Sequence, residues 1–213
     1  MVVVNAATPF CVDKYEGMLV GLDALDAAFP WSPFASPGTQ KVRALSVAGV
    51  VPQGYINKLQ ARSACENAGK RLCKNTEWTR ACKGSGITTY PYGATRLPGV
   101  CNDARTPHPA IQYFGANDPQ VWNKLGHPCI NQLPDSLDAT GRRPGCISED
   151  QALDMMGNLH EWIEDVSPRG TGMFRGGYYV DTVINGSGCN YTTTAHAENH
   201  WDYSTGFRCC ADL

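Results

Sequence analysis

Ten cysteines at irregular positions, 11, 65, 73, 82, 101, 129, 146, 189, 209 and 210, constrain this chain more than any other feature. Cysteines that bind a structural metal come as closely spaced pairs, because four thiolates must reach one ion, and no such C-x2-C pair occurs here. Scattered cysteines in even number point instead to as many as five disulfides formed in an oxidising compartment, so an extracytoplasmic location is expected: secreted, periplasmic or cell surface. A chain of 213 residues buries roughly 70% of its unfolded surface unaided, so the bridges would staple a fold rather than replace a core. Cys209 and Cys210 are adjacent, point to opposite faces if they lie in a strand, and should therefore bond different partners.

No apolar run approaches the ~20 residues of a membrane span, and no membrane insertion is expected. The start, Met1-Val-Val-Val-Asn-Ala-Ala7, is too short for a signal peptide, which implies that a leader has been removed. A formal charge of −2 excludes polybasic binding to nucleic acid or to a membrane surface. With 22 glycines, 14 prolines and only 18% charged residues, the chain is no helical bundle, coiled coil or disordered segment, but a loop-rich globule.

Local patterns are sparse. Phe10 to Glu16 alternates as a strand does, whereas 21–53 reads as an irregular connection with at most one short strand. Ala61, Ala64, Cys65 and Ala68 share one face of a helix from Lys58 to Ala68 that Gly69 ends. A second helix, capped by Asn75 or Thr76 and closed by Gly84, places Trp78, Ala81 and Cys82 together. About 70 irregular residues follow Gly84, and Leu159–Asp165, Met173–Val180 and Thr205–Ala211 are strand-like. Without an internal repeat, 1–213 reads as a single α+β domain.

Six islands then occur in register: Gly69-Lys-Arg-Leu72, Thr76-Glu-Trp78, Tyr90-Pro-Tyr-Gly93, Met156-Gly-Asn-Leu-His-Glu-Trp162, Arg175-Gly-Gly177 and Gly206-Phe-Arg208. In order and spacing they resemble the formylglycine-generating enzyme family, or sulfatase-modifying factor domains, from about residue 10 to 213. The resemblance implies a variant of the C-type lectin fold with low regular secondary structure, two short helices, short antiparallel strands and multiple disulfides. Relatives range from copper-dependent oxidases to the variable ligand-binding proteins of diversity-generating retroelements, so the fold alone does not name the function.

The family's oxidases carry two cysteines just past the Gly-Gly strand, soft ligands suited to monovalent copper. The matching stretch here, 178–188, has none, and Cys189 resembles a structural cysteine. Formylglycine generation is therefore not expected. In its place, 178–205 is aromatic, hydroxyl- and amide-rich, the chemistry favoured in binding loops. Tyr179, Asp181, Asn185, Tyr191, His196, His200, Trp201, Asp202 and Tyr203 are expected to line a surface that binds a protein or glycan. The reading adopted is an exported binding domain. The alternative is a non-haem, iron- or copper-dependent oxidoreductase with His196, His200 and Asp202 as ligands, and these three are the catalytic candidates. His160 is read as a packing residue, and His108 and His127 carry no signal.

The resemblance further implies a structural calcium held by Asp154, Glu161 and the carbonyls of Gly157 and Leu159, with a second site at Asn102 and Asp103. It also implies a pairing of Cys82 with Cys209, and Cys189 with Cys101 and, as a loop staple, Cys129 with Cys146 are expected beside it. The partners of Cys11, Cys65, Cys73 and Cys210 stay open.

Overall fold

The computed structural model describes residues 1–213, and its strands are short because turn residues interrupt every apolar run. Phe10 and Val12 point inward and make β2 (Phe10–Val12) an inner strand. It pairs antiparallel with β1 (Val2–Val4) and with the C-terminal β11 (Cys209–Asp212), which pairs in turn with β6 (Arg71–Leu72). The two ends of the chain are thereby joined in one sheet.

A second four-stranded sheet centres on β7 (His160–Val166) and β8 (Gly172–Arg175), with β9 (Thr192–Thr193) beyond β8. Its other edge, β10 (Thr205–Phe207), runs parallel to β7, a departure from the all-antiparallel expectation. β8 stops sooner than the expected strand to Val180, because Gly176 and Gly177 take φ of 85° and 72°. A third sheet, β3 (Met18–Leu22) between β4 (Ala28–Pro30) and β5 (Val42–Leu45), occupies the stretch expected to hold at most one strand. β4 and β5 are too short to show a period, and pairing with β3 rather than local propensity defines them.

Helix α1 (Lys58–Glu66) starts in a capping box between Asn57 and Gln60 and buries Ala61, Ala64 and Cys65 as expected. Helix α2 (Asn75–Lys83) buries Trp78, Ala81 and Cys82. Its cap is Lys74 rather than Asn75 or Thr76, with Glu77 reaching back to the Lys74 N–H at 2.8 Å. A third helix, α3 (Pro109–Phe114), was not expected; Pro at its start and Gly115 at φ 70° mark its ends, but six residues show no periodicity.

Strand β11 divides two cores. Cys209 faces the core that includes Ile56, Ala61, Ala64, Cys65, Trp162 and Phe207 under α1, and Cys210 faces that of Trp78, Cys82, Cys73 and Ile163 under α2. This alternation settles the bridges. Cys209 bonds Cys65 and Cys210 bonds Cys73, so the adjacent pair does take separate partners. The expected Cys82–Cys209 link is corrected: Cys82 lies on the other side of β11 and bonds Cys189. Cys101 therefore bonds Cys146 rather than Cys189, in a small core with Tyr90 and Met156, and Cys129 is left without its expected partner. Cys11 and Cys129 are both free and half-buried. No helix is long and apolar enough to cross a membrane.

Candidate functional site

The segment 178–205 leaves β8, contributes β9 and returns through β10, and the rest of the fold holds it firmly. Lys58, wholly buried at the start of α1, ion-pairs Glu198 at 2.6 Å and donates to the Asp165 carbonyl at 3.0 Å. The Lys58 N–H also donates to the Glu198 carbonyl. Asp181 accepts from the N–H groups of Val183 and Ile184, and Asn185 donates to Tyr191 and Thr193, so both residues shape the loop from within.

The expected surface divides in two. Tyr179, Tyr191, Tyr203 and Asp202 are buried and are corrected to supporting residues, because their polar ends find partners inside. Tyr179 donates to Asn131 at 2.8 Å, and the Tyr203 hydroxyl sits 3.0 Å from His108 Nε2. Asp202 accepts from the Ser204 N–H and hydroxyl, both at 2.7 Å, and lies 3.1 Å from His200 Nε2. Burial pushes its carboxyl up, but the hydrogen bonds from His200 and Ser204 outweigh that and hold it below the usual range. What remains open is Asn185, Trp201 at 39% and the apolar tip of Val183 and Ile184, with Asp181, His196 and His200 half-buried.

A second segment, read as carrying no signal, completes the face. The Tyr203 N–H donates to the Leu125 carbonyl, and the Trp201 ring lies so close over Gly126 that a Cβ there would meet it at 2.9 Å. Trp122, 44% exposed, contacts His108 edge-on at 5.0 Å, and His108 contacts Tyr203 at 5.9 Å. Tyr113 on α3 and His127 pack against each other at 4.7 Å with tilted rings, and the Tyr113 hydroxyl lies 3.4 Å from His127 Nε2. The sequence showed Trp122 and Tyr113 only as isolated aromatics; their meeting with 196–203 is a tertiary event. Ring contacts run on through Tyr178 to His160, which packs among Phe174, Tyr178 and Tyr191 at 4.5–5.4 Å. Five surface cavities of about 340–510 Å³ lie elsewhere, and none is lined by a residue of 178–205.

His196 and His200 do not converge on a metal position. Their rings stack at 3.9 Å with planes inclined by 16°, and His196 also stacks on Phe174. A metal lies in the plane of each imidazole ligand at about 2.0–2.1 Å, whereas two planes so nearly parallel meet on the order of 10 Å away. His200 Nε2 is in addition engaged by Asp202. No three His, Cys, Asp or Glu side chains are grouped to hold an ion.

Both carboxylates among the implied calcium ligands have other partners. Both Glu161 oxygens accept from Arg208, at 2.6 and 2.7 Å, and one also accepts from Trp78 Nε1 at 2.6 Å. Asp154 accepts from the Gly141 N–H at 2.7 Å, and burial pushes its carboxyl up to about 6. Asp103 pairs with Arg96 at 2.7 Å, and Asn102 donates to Ser136 and Asn158. Glu161 thus has a guanidinium as its counter-charge, which weighs against calcium at this donor set. Chelation with EDTA is therefore expected to leave the melting temperature unchanged; a fall reversed by calcium would contradict these contacts.

His160 supplies a pH dependence. Burial, partly opposed by Asp202 and Asp181, lowers its pKa to about 3, and its Nδ1 is buried without a partner. Unfolded, it takes up a proton near pH 6.5 that the folded form refuses, so its contribution to stability is present above pH 6.5 and lost as pH falls towards 3. The loss is of order 4 kcal/mol. Asp154, raised from 3.8 to about 6, acts in the opposite sense, favouring the fold at low pH. His160→Phe keeps the ring packing and is expected to flatten the fall in melting temperature between pH 6 and 4, read by circular dichroism; an unchanged profile would show that His160 does not control it.

The sequence matches the family of sulfatase-modifying factor enzyme 1-like domains over residues 35–213. Among solved structures, PvdO from Pseudomonas aeruginosa is similar over 99% of this chain and 83% of its own, with a TM-score of 0.59 and 15% identity. The Major Tropism Determinant I1 variant is similar over 95% of this chain, which spans 50% of that protein's length, with a TM-score of 0.52 and 12% identity. At these identities both show the fold. No curated protein sequence matches.

Proposed function

We propose that this chain, which belongs to the family of sulfatase-modifying factor enzyme 1-like domains, is an exported domain that binds a protein or glycan through the face built by 178–205 and 108–127, and generates no formylglycine. One observation carries the reading: half-exposed Trp122 and Trp201 sit on a layer of Tyr, His and Asp side chains in which the Tyr179 and Tyr203 hydroxyls and the Asp202 carboxylate are hydrogen-bonded. Fixed aromatic rings give contact area at little entropic cost, the chemistry of surfaces that bind proteins and glycans. The four disulfides support export. That a protein named for determining tropism has this fold is consistent with a recognition role.

Oxidase chemistry of the family's kind needs a thiolate pair at the face. Cys189 is bonded to Cys82, and the two free thiols, Cys11 on β2 and Cys129, both lie outside 178–205. Probing immobilised glycans and candidate proteins with wild type, Trp201→Ala and Trp122→Ala tests the proposal. Truncating a central aromatic is expected to weaken binding at least tenfold, about 1.4 kcal/mol or more, with an unchanged melting temperature. A ligand whose affinity ignores both substitutions would refute this face as the site.

A further inference from the structure

Three arginines are buried, and only one of them has a carboxylate partner. Arg208 pairs with Glu161, and Arg175 lies over the Trp78 ring at 5.3 Å. Arg105, 8% exposed, has neither. Its guanidinium donates only to neutral oxygens, the carbonyls of Pro107 and Pro134 and the Gln112 side chain, and its Nε has no partner. A buried cation without a counter-charge is strongly disfavoured unless something supplies one.

Beside it lies a cavity of about 340 Å³, walled by Arg105, Thr106, Asn102, Asp103, Asp135 and Arg143 among others. The remaining charges of this wall are largely spoken for. Asp103 is paired with Arg96 at 2.7 Å, and Arg143 with Asp138 at 2.6 Å. Asp135, exposed and unpaired, is a fixed negative charge in the same wall. We infer that this cavity binds a small monocarboxylate, with Arg105 as its counter-charge. A carboxylate matches the guanidinium and brings one negative charge. A phosphate dianion doubles both the attraction to Arg105 and the repulsion from Asp135, while its desolvation cost rises about fourfold with the square of its charge, so the cavity selects against it. The cavity is separate from the aromatic face, and the inference does not depend on the function proposed for that face.

Calorimetric titration of the folded protein with acetate and with inorganic phosphate, at constant ionic strength, tests this. Acetate is expected to bind saturably and in preference to phosphate, and at least tenfold more weakly to Arg105→Gln. Should that variant fail to fold, Arg105→Lys keeps the charge without the planar fork and is expected to weaken acetate binding severalfold. Asp135→Asn, an exposed change, is expected to raise phosphate affinity towards that of acetate. No saturable response of the wild type to acetate, an equal response in both Arg105 variants, or no effect of Asp135→Asn on phosphate would each overturn the assignment.

Discussion

Replacing Cys73 and Cys210 by alanine is expected to destabilise the protein by only ~3 kcal/mol while Cys65–Cys209 remains, whereas removing both bridges is expected to unfold it. The two disulfides span 144 and 137 residues, but they run side by side and interlace. With one intact, the other closes a ring of only about eight residues from Cys65 on α1 to Cys73 before α2, plus the single step from Cys209 to Cys210. In the chain-entropy account a ring of about 10 residues contributes ~3 kcal/mol, while the remaining bridge of the pair, whose loop Cys82–Cys189 already shortens to about 40 residues, contributes ~4 kcal/mol. The double loss of ~7 kcal/mol is comparable to the whole stability of a typical domain. Urea titration of the two single-bridge variants and the double one reads this directly. The contradicting result is a double loss no larger than the single one.

Arg208→Met is expected to cost about 3–5 kcal/mol at neutral pH, and much less near pH 5. Arg208 and Glu161 are each 1% exposed and paired through two hydrogen bonds, and Arg208 also holds the carbonyls of Asp13 and Leu153. Burial works against its charge, but Glu161, Glu16 and Asp154 keep it protonated. Glu16 is wholly buried, and desolvation together with Asp154 and Glu161 raises its pKa well above the ordinary value. Without the guanidinium, three carboxyls face one another with no cation. The folded pKa values of Glu16 and Asp154, already raised, then rise further, so the variant gains stability as pH falls and these groups take up protons that the unfolded chain does not bind until lower pH. Unfolding at pH 7.5 and pH 5 should show the gap to wild type narrowing with acid. A gap that is independent of pH would show that Arg208 acts by packing alone.

The sequence carried the fold through short motifs whose residues prove structural. Glu161 of Gly-Asn-Leu-His-Glu-Trp meets Arg208 of Gly-Phe-Arg and Trp78 of Thr-Glu-Trp in one buried cluster, which is why separate islands reported a common scaffold. Both apolar helix faces were legible because nine residues suffice for a period; α3, with six, was not. The disulfides were only half legible. Alternation in β11 separated Cys209 from Cys210, but which core each faced depends on the crossing of β11 between α1 and α2. For the site, composition located the segment 178–205 and could not tell its exposed rings from its buried ones. Tyr179 and Trp201 look alike as binding residues, yet one hydrogen-bonds Asn131 in the core and the other lies open over Gly126. His108 and Trp122 reach the face only through long-range packing, for which an irregular loop gives no local signal.

The claim that this face binds rather than oxidises is tested most directly by its metal content. Protein purified without chelators and then supplied with monovalent copper or ferrous iron under reducing, anaerobic conditions should retain far less than one equivalent after desalting, with no difference between wild type and His196→Ala. One equivalent of copper or iron retained by the wild type and lost in His196→Ala would mean that His196 and His200 separate to ligate an ion, and the binding account would give way to a metalloenzyme.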